Sequence, residues 1–292
     1  MNARSLLRSC KSTLLPALVA TAMLTGCKPK PTDPPDSTGG SDPTTAGDAT
    51  AEGGDDGDAV DPGPPQEPDP PEVAKGRHEV LLGHYEEAIK ILDPVYIDLK
   101  DREQYRAGGL AGAWLAVAHS QIVFENAAEP AGHALAMAEK TGDAEVEAAA
   151  KLARGASLLA EGDFTAAAEA FAASAAADPS SPESLLALVW DGEALIGSAF
   201  GGGSTIVRPE DLDAAKAAYK KAAETASGAG DEKDIIIGRA EEGMAAVADY
   251  QGDKATICTH AFASIDHYKA AGAAEFLVHG PSDLAAKYKC KP

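Results

Sequence analysis

Two cysteines near the C-terminal end, Cys258 and Cys290, are the side chains in this sequence best placed for covalent or metal chemistry. One reading joins them to each other. The rival is a metal site at Cys258-Thr259-His260 with His267, His279 or Cys290. On a helix, Cys258 and His260 point to different faces, and only His260 and His267, seven apart, share one. No paired CxxC and no HExxH is present, so neither a metal nor any other cofactor is expected. The run Phe200-Gly201-Gly202-Gly203-Ser204-Thr205 has the glycines of a phosphate loop. A phosphate loop also needs a lysine before Ser/Thr and a preceding strand. Here the lysine is missing and helical sequence precedes the glycines, which makes the run a connection between helices. The acids Asp55, Asp56, Asp58 and Asp61 lack the alternating offsets and terminal Glu of a calcium loop. No Gly-x-Ser-x-Gly, Ser-x-x-Lys or paired catalytic carboxylates occur. An enzyme is not expected.

The chain starts with Arg4, Arg8 and Lys11, followed by a short apolar stretch, Thr13 to Leu24. A charged start, a brief apolar core and small residues before a cut site describe an export signal. The stretch is shorter than the ~20 residues a membrane-spanning helix needs. Leu24-Thr25-Gly26-Cys27 resembles the bacterial lipobox. That resemblance implies removal of residues 1–26 and lipidation of Cys27. The acyl chains would hold the protein on a membrane, at ~0.8 kcal/mol per buried methylene. By the same resemblance, Lys rather than Asp at position 28 implies the periplasmic face of the outer membrane in a two-membrane cell. In an exported, oxidising setting the even pair Cys258 and Cys290 is expected to form a disulfide.

Residues 27–72 are expected to be a lipidated, disordered tether. Positions 28–72 hold 11 Pro, 7 Gly and 12 acids against two Lys, with no aromatic and Val60 as the single large apolar residue. Such a segment cannot bury enough surface to offset its ordering entropy. A flexible chain of that length spans roughly 35–40 Å, and proline with like charge extends it further. The whole chain carries −21. An acidic balance in both the tether and the remainder excludes nucleic acid as an electrostatic partner.

Residues 73–292 read as all-α. Alanine is abundant, aromatics are 5%, and runs of Val, Ile and Thr are few. Helices are expected at 73–82, 84–99, 102–126, 129–140, 143–160, 163–177, 182–199, 209–227, 231–250, 253–270, 272–279 and 281–289. Gly83, Gly142, Gly162, Gly230, Gly252 and Gly280 mark the breaks. Asp143, Asp163, Ser181, Asp231 and Asp253 stand where N-caps belong. Pro182 and Pro281 stand at first-turn positions, and Asp93-Pro94 marks a kink or restart. Repeated helix–turn–helix units define an α-solenoid. In one unit Gly155 and Leu158 precede Gly162-Asp163-Phe164, then Ala167 and Phe171, closing at Asp178-Pro179. This resembles the tetratricopeptide repeat. Gly76, Gly83-His84-Tyr85, Ala88 and Leu92 share the skeleton, as do Leu212, Ala215, Tyr219 and Ala222, and Gly252-Asp253 more weakly. Lys151 stands where the repeat has Trp, Leu158 where it has an aromatic, and the spacing between units is irregular.

A stack of helix pairs presents an inner wall formed by the first helix of each pair. The expected function is therefore a membrane-tethered adaptor or scaffold that binds a protein or peptide in the cell envelope. Its contact set would be Arg106, His119, Gln121, Lys151, Arg154 and Glu193 on first helices. Ile206 and Arg208 join them from the long loop Gly201–Pro209, with Trp114 and Trp190 assigned to the core. The alternative is a solute-binding lipoprotein with a small-molecule pocket inside the superhelix.

Overall fold

The structure, a computed structural model, describes residues 65–291. Residues 1–26, Cys27 and most of the expected tether lie outside the described residues. Eleven α-helices follow one another with no strand among the described residues. They are α1 Pro71–Leu82, α2 Tyr85–Asp101, α3 Tyr105–Ile122, α4 Ala128–Thr141, α5 Ala144–Glu161 and α6 Phe164–Ala177. The series continues with α7 Pro182–Ala199, α8 Pro209–Thr225, α9 Lys233–Gln251, α10 Lys254–Ala271 and α11 Glu275–Lys287.

Side-chain caps start several of these helices. Asp143 accepts from the Glu145 and Val146 N–H groups, and Asp163, Ser181 and Asp253 each accept one N–H. Asp231 does not cap. It sits inside a three-residue 3₁₀ turn, Gly230–Glu232, and α9 starts after it without a side-chain cap. Gly162 ends α5 at φ +85°, a left-handed conformation that lets the Asp163 N–H reach back to the Leu158 carbonyl.

Three expected boundaries differ. α2 runs unbroken through Pro94, whose missing N–H leaves only the carbonyl of exposed Lys90 unpaired by the helix, within reach of water. The expected helix 102–126 is shorter: Glu103 adopts φ +53°, α3 starts at Tyr105, and a 3₁₀ turn over Phe124–Asn126 follows it. Gly280 and Pro281 do not divide the last helix. α11 passes through both, held against α9 and α10 by tertiary packing that outweighs the local break. The bond between Cys258 and Cys290, with Cα atoms 5.4 Å apart, ties the end of α11 to α10.

Each helix packs on the next, and odd-numbered helices also pack on one another: α1 on α3, α3 on α5, α5 on α7, α7 on α9, α9 on α11. The even-numbered helices form an outer layer. Small residues make this close approach possible. A Cβ at Gly155 would stand 2.5 Å from the Phe171 ring, one at Gly192 2.5 Å from Tyr219, and one at Gly238 2.8 Å from Tyr268. In each case a glycine on an inner helix receives a large side chain from the outer helix that follows it.

The stack does not stay open. α1 also packs on α9. The Arg239 guanidinium of α9 donates to the Leu81 carbonyl at 3.0 Å, and the Ala274 N–H donates to the Leu82 carbonyl at 2.8 Å. Tyr85 and Phe276 rings sit 6.0 Å apart across the same junction. The inner helices therefore meet around a common axis. Ala107 through Ala118 of α3 and Glu183 through Trp190 of α7 are buried without interruption. The open inner wall expected from a solenoid is instead a filled core.

Candidate functional site

The first turns of the inner helices bring carboxylates to one end of that core. Glu145 lies in the first turn of α5, Glu183 in the first turn of α7, and Glu232 just before α9. Helix N-termini favour negative charge there. Arg77 of α1 reaches all three: 3.7 Å to Glu145, 3.7 Å to Glu183 and 3.3 Å to Glu232. Trp114 of α3 completes the set by donating from Nε1 to Glu183 Oε1 at 3.1 Å. Five successive inner segments thus each contribute one side chain.

Glu183 is fully buried, and its Oε2 has no hydrogen-bond partner among the described residues. Burial pushes its carboxyl up, against the pull of Arg77 and the Trp114 N–H. Glu232 is raised for the same reason, opposed by Arg77 and His78. A cavity of about 110 Å³ adjoins this group. Arg77, Trp114, Leu110, Glu145 and Glu183 wall it, and Asp69–Pro71 close one side.

The segment before α1 is fastened to the domain. Gln104 Nε2 donates to the Pro65 carbonyl at 3.1 Å, and the Glu67 N–H donates to Gln104 Oε1 at 2.7 Å. Arg102 pairs with Glu67, and Arg106 pairs with Asp69, Asp143 and Glu145. Burial pushes the Asp143 carboxyl up, but the Val146 N–H and the Arg106 guanidinium outweigh it and hold the group low.

A second buried polar group lies at the closure between α1 and α9. Arg239 donates to Leu81 and to the Tyr85 hydroxyl, and the Tyr268 hydroxyl donates to Glu242 at 2.6 Å. Burial pushes Glu193 of α7 up to about 7 and Asp191 up to about 6. Arg239 opposes the first shift and Lys221 the second.

The contact residues expected from sequence have the following surroundings. Arg106 is held by three carboxylates beside the cavity. His119 is half-buried, with its pKa lowered by desolvation. Gln121 is exposed and donates to the Ser120 hydroxyl. Lys151 pairs with Glu147 one turn back, and Arg154 is exposed. Glu193 is half-buried on α7, where burial raises its carboxyl. Ile206, expected to be exposed, is half-buried against the core, while Val207 beside it is 61% exposed. Arg208 folds back on Ser198 and Asp211. Trp114 and Trp190 are both core residues.

His260 pairs with Glu241 and His267 with Asp234, and among the described residues no three Cys, His, Asp or Glu are grouped to hold a metal. No described helix is long and apolar enough to cross a membrane. Arg77, Glu145, Glu183 and Glu232 went unnoticed in the sequence because an acid in a first turn is an ordinary capping signal. Only ring closure gives these acids a shared partner. No family model, curated protein or solved structure matches this chain.

Proposed function

We propose that this chain is a lipid-anchored helical-repeat scaffold of the cell envelope, tetratricopeptide-like in its repeat, which holds a protein partner. The anchor is Cys27, by the lipobox resemblance of Leu24-Thr25-Gly26-Cys27. The outer membrane is the expected site, with residues 27–72 as the tether expected from the sequence.

One observation carries the binding role. Ile122, Val123 and Phe124 are consecutive and 42%, 43% and 47% exposed. They lie at the end of α3, and Val207, in the loop after α7, is 61% exposed. Exposed contiguous apolar residues are the usual mark of a protein contact. With the inner helices packed into a core, this rim is the contact surface of the proposal.

The test places a photoreactive residue at Phe124 in the full chain and irradiates intact cells, with Arg154 as the control position. The expected result is one discrete crosslinked species from position 124, lost with Val123→Asp. Equal labelling from both positions would refute the rim as a binding face. Cys27→Ser should move the protein from the membrane to the soluble fraction, and unchanged membrane retention would refute the anchor.

A second reading, a solute-binding lipoprotein with a small-molecule pocket, is favoured by the cavity beside Glu183.

A further inference from the structure

Residues 65–70 lie on the turn between α2 and α3 as a peptide lies on a receptor. The contact centres on two glutamines that read each other's main chain. The Gln104 side-chain amide donates to the Pro65 carbonyl at 3.1 Å and accepts from the Glu67 N–H at 2.7 Å, so it brackets Gln66. The Gln66 amide does the same to Gln104. It donates to the Glu103 carbonyl at 3.2 Å and accepts from the Tyr105 N–H at 2.7 Å. An amide carries a donor and an acceptor side by side, and in extended chain the carbonyl before a residue and the N–H after it face one way. The match therefore selects an extended segment. Gln104 is 5% exposed, and α3 has no side-chain cap of its own, so Gln66 supplies the acceptor for its first N–H.

Two ion pairs add sequence to that shape. Glu67 pairs with Arg102 and Asp69 with Arg106, whose other partners, Asp143 and Glu145, hold it in place. Residues two apart on an extended chain share a face, which lets both acids reach the turn. Pro65, Pro68 and Pro70 restrict the segment and lower the entropy lost on docking. Arg102 and Glu67 keep 44% and 58% of their side-chain surface exposed, and such pairs are individually weak. The segment can leave without opening the core.

We propose that the α2–α3 turn is a docking site for an extended acidic polypeptide segment of the pattern Gln-Glu-x-Asp, which residues 66–69 fill as a displaceable strap. The partner is a protein carrying such a segment. The site lies where α3 begins, whereas Ile122 to Phe124 lie where it ends, so it stands independently of the apolar rim. Displacement would free six residues before α1 and let the domain stand up to ~20 Å further from its anchor. Because the strap is continuous with α1, its local concentration is high and a free peptide competes poorly against it.

The test vacates the site in the full chain, purified in detergent, by Gln66→Ser, Glu67→Ser and Asp69→Ser together. Fluorescence anisotropy then follows a labelled peptide with the sequence of residues 64–72. It should bind the vacated chain about tenfold or more tighter than the unsubstituted chain. Gln66→Leu in the peptide should weaken binding about tenfold by removing both amide bonds. Glu67→Lys in the peptide should also weaken it, and Arg102→Glu in the vacated chain should restore that peptide. A strap that merely fixes the start of α1 would give none of these effects in trans. Should the triple substitution unfold the chain, Gln66→Ser alone removes the amide exchange and is read with the same peptides. The proposal falls if no peptide binds at about 1 mM, if both chains bind it equally, or if a scrambled peptide of the same composition binds as well as the ordered one.

Discussion

Glycine against ring is the contact on which the close packing of this protein turns. At Gly155 a methyl group would meet Phe171 at 2.5 Å, with both residues buried. Gly155→Ala should therefore lower unfolding free energy by a net of about 1–2 kcal/mol in urea titrations, since overpacking outweighs the helix-propensity gain of alanine. Carboxyl burial sets a pH dependence at the same scale. Glu193 is raised to about 7 and Asp191 to about 6. Between their ordinary values and these, the folded protein holds protons that the unfolded chain releases. Stability is therefore highest at mildly acidic pH and falls as pH rises toward 7, each such proton contributing a slope of about 1.4 kcal/mol per pH unit. Glu193→Gln should flatten the descent in denaturation measured from pH 5 to 7. A descent equally steep in the variant would show that Glu193 is not its source.

Among the elements, α11 depends most on a covalent tie. Its own sequence contains Gly280 and Pro281, both unfavourable inside a helix. What keeps it in place is the Cys258–Cys290 bond, the pairing of Lys287 and Tyr288 with Asp249, and the Ala274 bond to Leu82. Cross-linking across this loop contributes about 3–4 kcal/mol in the chain-entropy account. Reduction, or Cys258→Ser with Cys290→Ser, should lower stability by about that amount. Limited proteolysis should then cut first within residues 272–291. Protection of this segment after reduction would show that the noncovalent contacts suffice.

At the scale of the whole molecule, closure of α1 on α9 is the distinguishing feature. An open repeat array transmits stability only between neighbours. Here Arg239 links α9 to Leu81 and Tyr85 at the opposite end of the stack. Arg239→Gln should cost about 3–5 kcal/mol, because it breaks a buried charged network. It should also loosen α1 before the rest, which hydrogen exchange of residues 71–82 would report. Uniform exchange across all helices in the variant would argue that closure does not depend on this residue.

Much of this architecture is legible in local patterns. Alanine-rich helical periods, the caps at Asp143, Asp163, Ser181 and Asp253, and the turns at Gly83 and Gly162 all follow from short-range chemistry. So do the even cysteine pair and the small-residue positions at Gly76 and Gly155, which face Leu92 and Phe171. Local chemistry could not tell that α2 and α11 would run through their prolines, because burial against other helices outweighs propensity. Nor could it tell that the stack closes. Helix-pair sequences specify the angle between neighbours only loosely, and small rotations summed over five pairs decide whether the ends meet. The candidate site belongs to that last category: Arg77, Trp114, Glu145, Glu183 and Glu232 span 156 positions of sequence and acquire a common environment only when the inner helices share one axis.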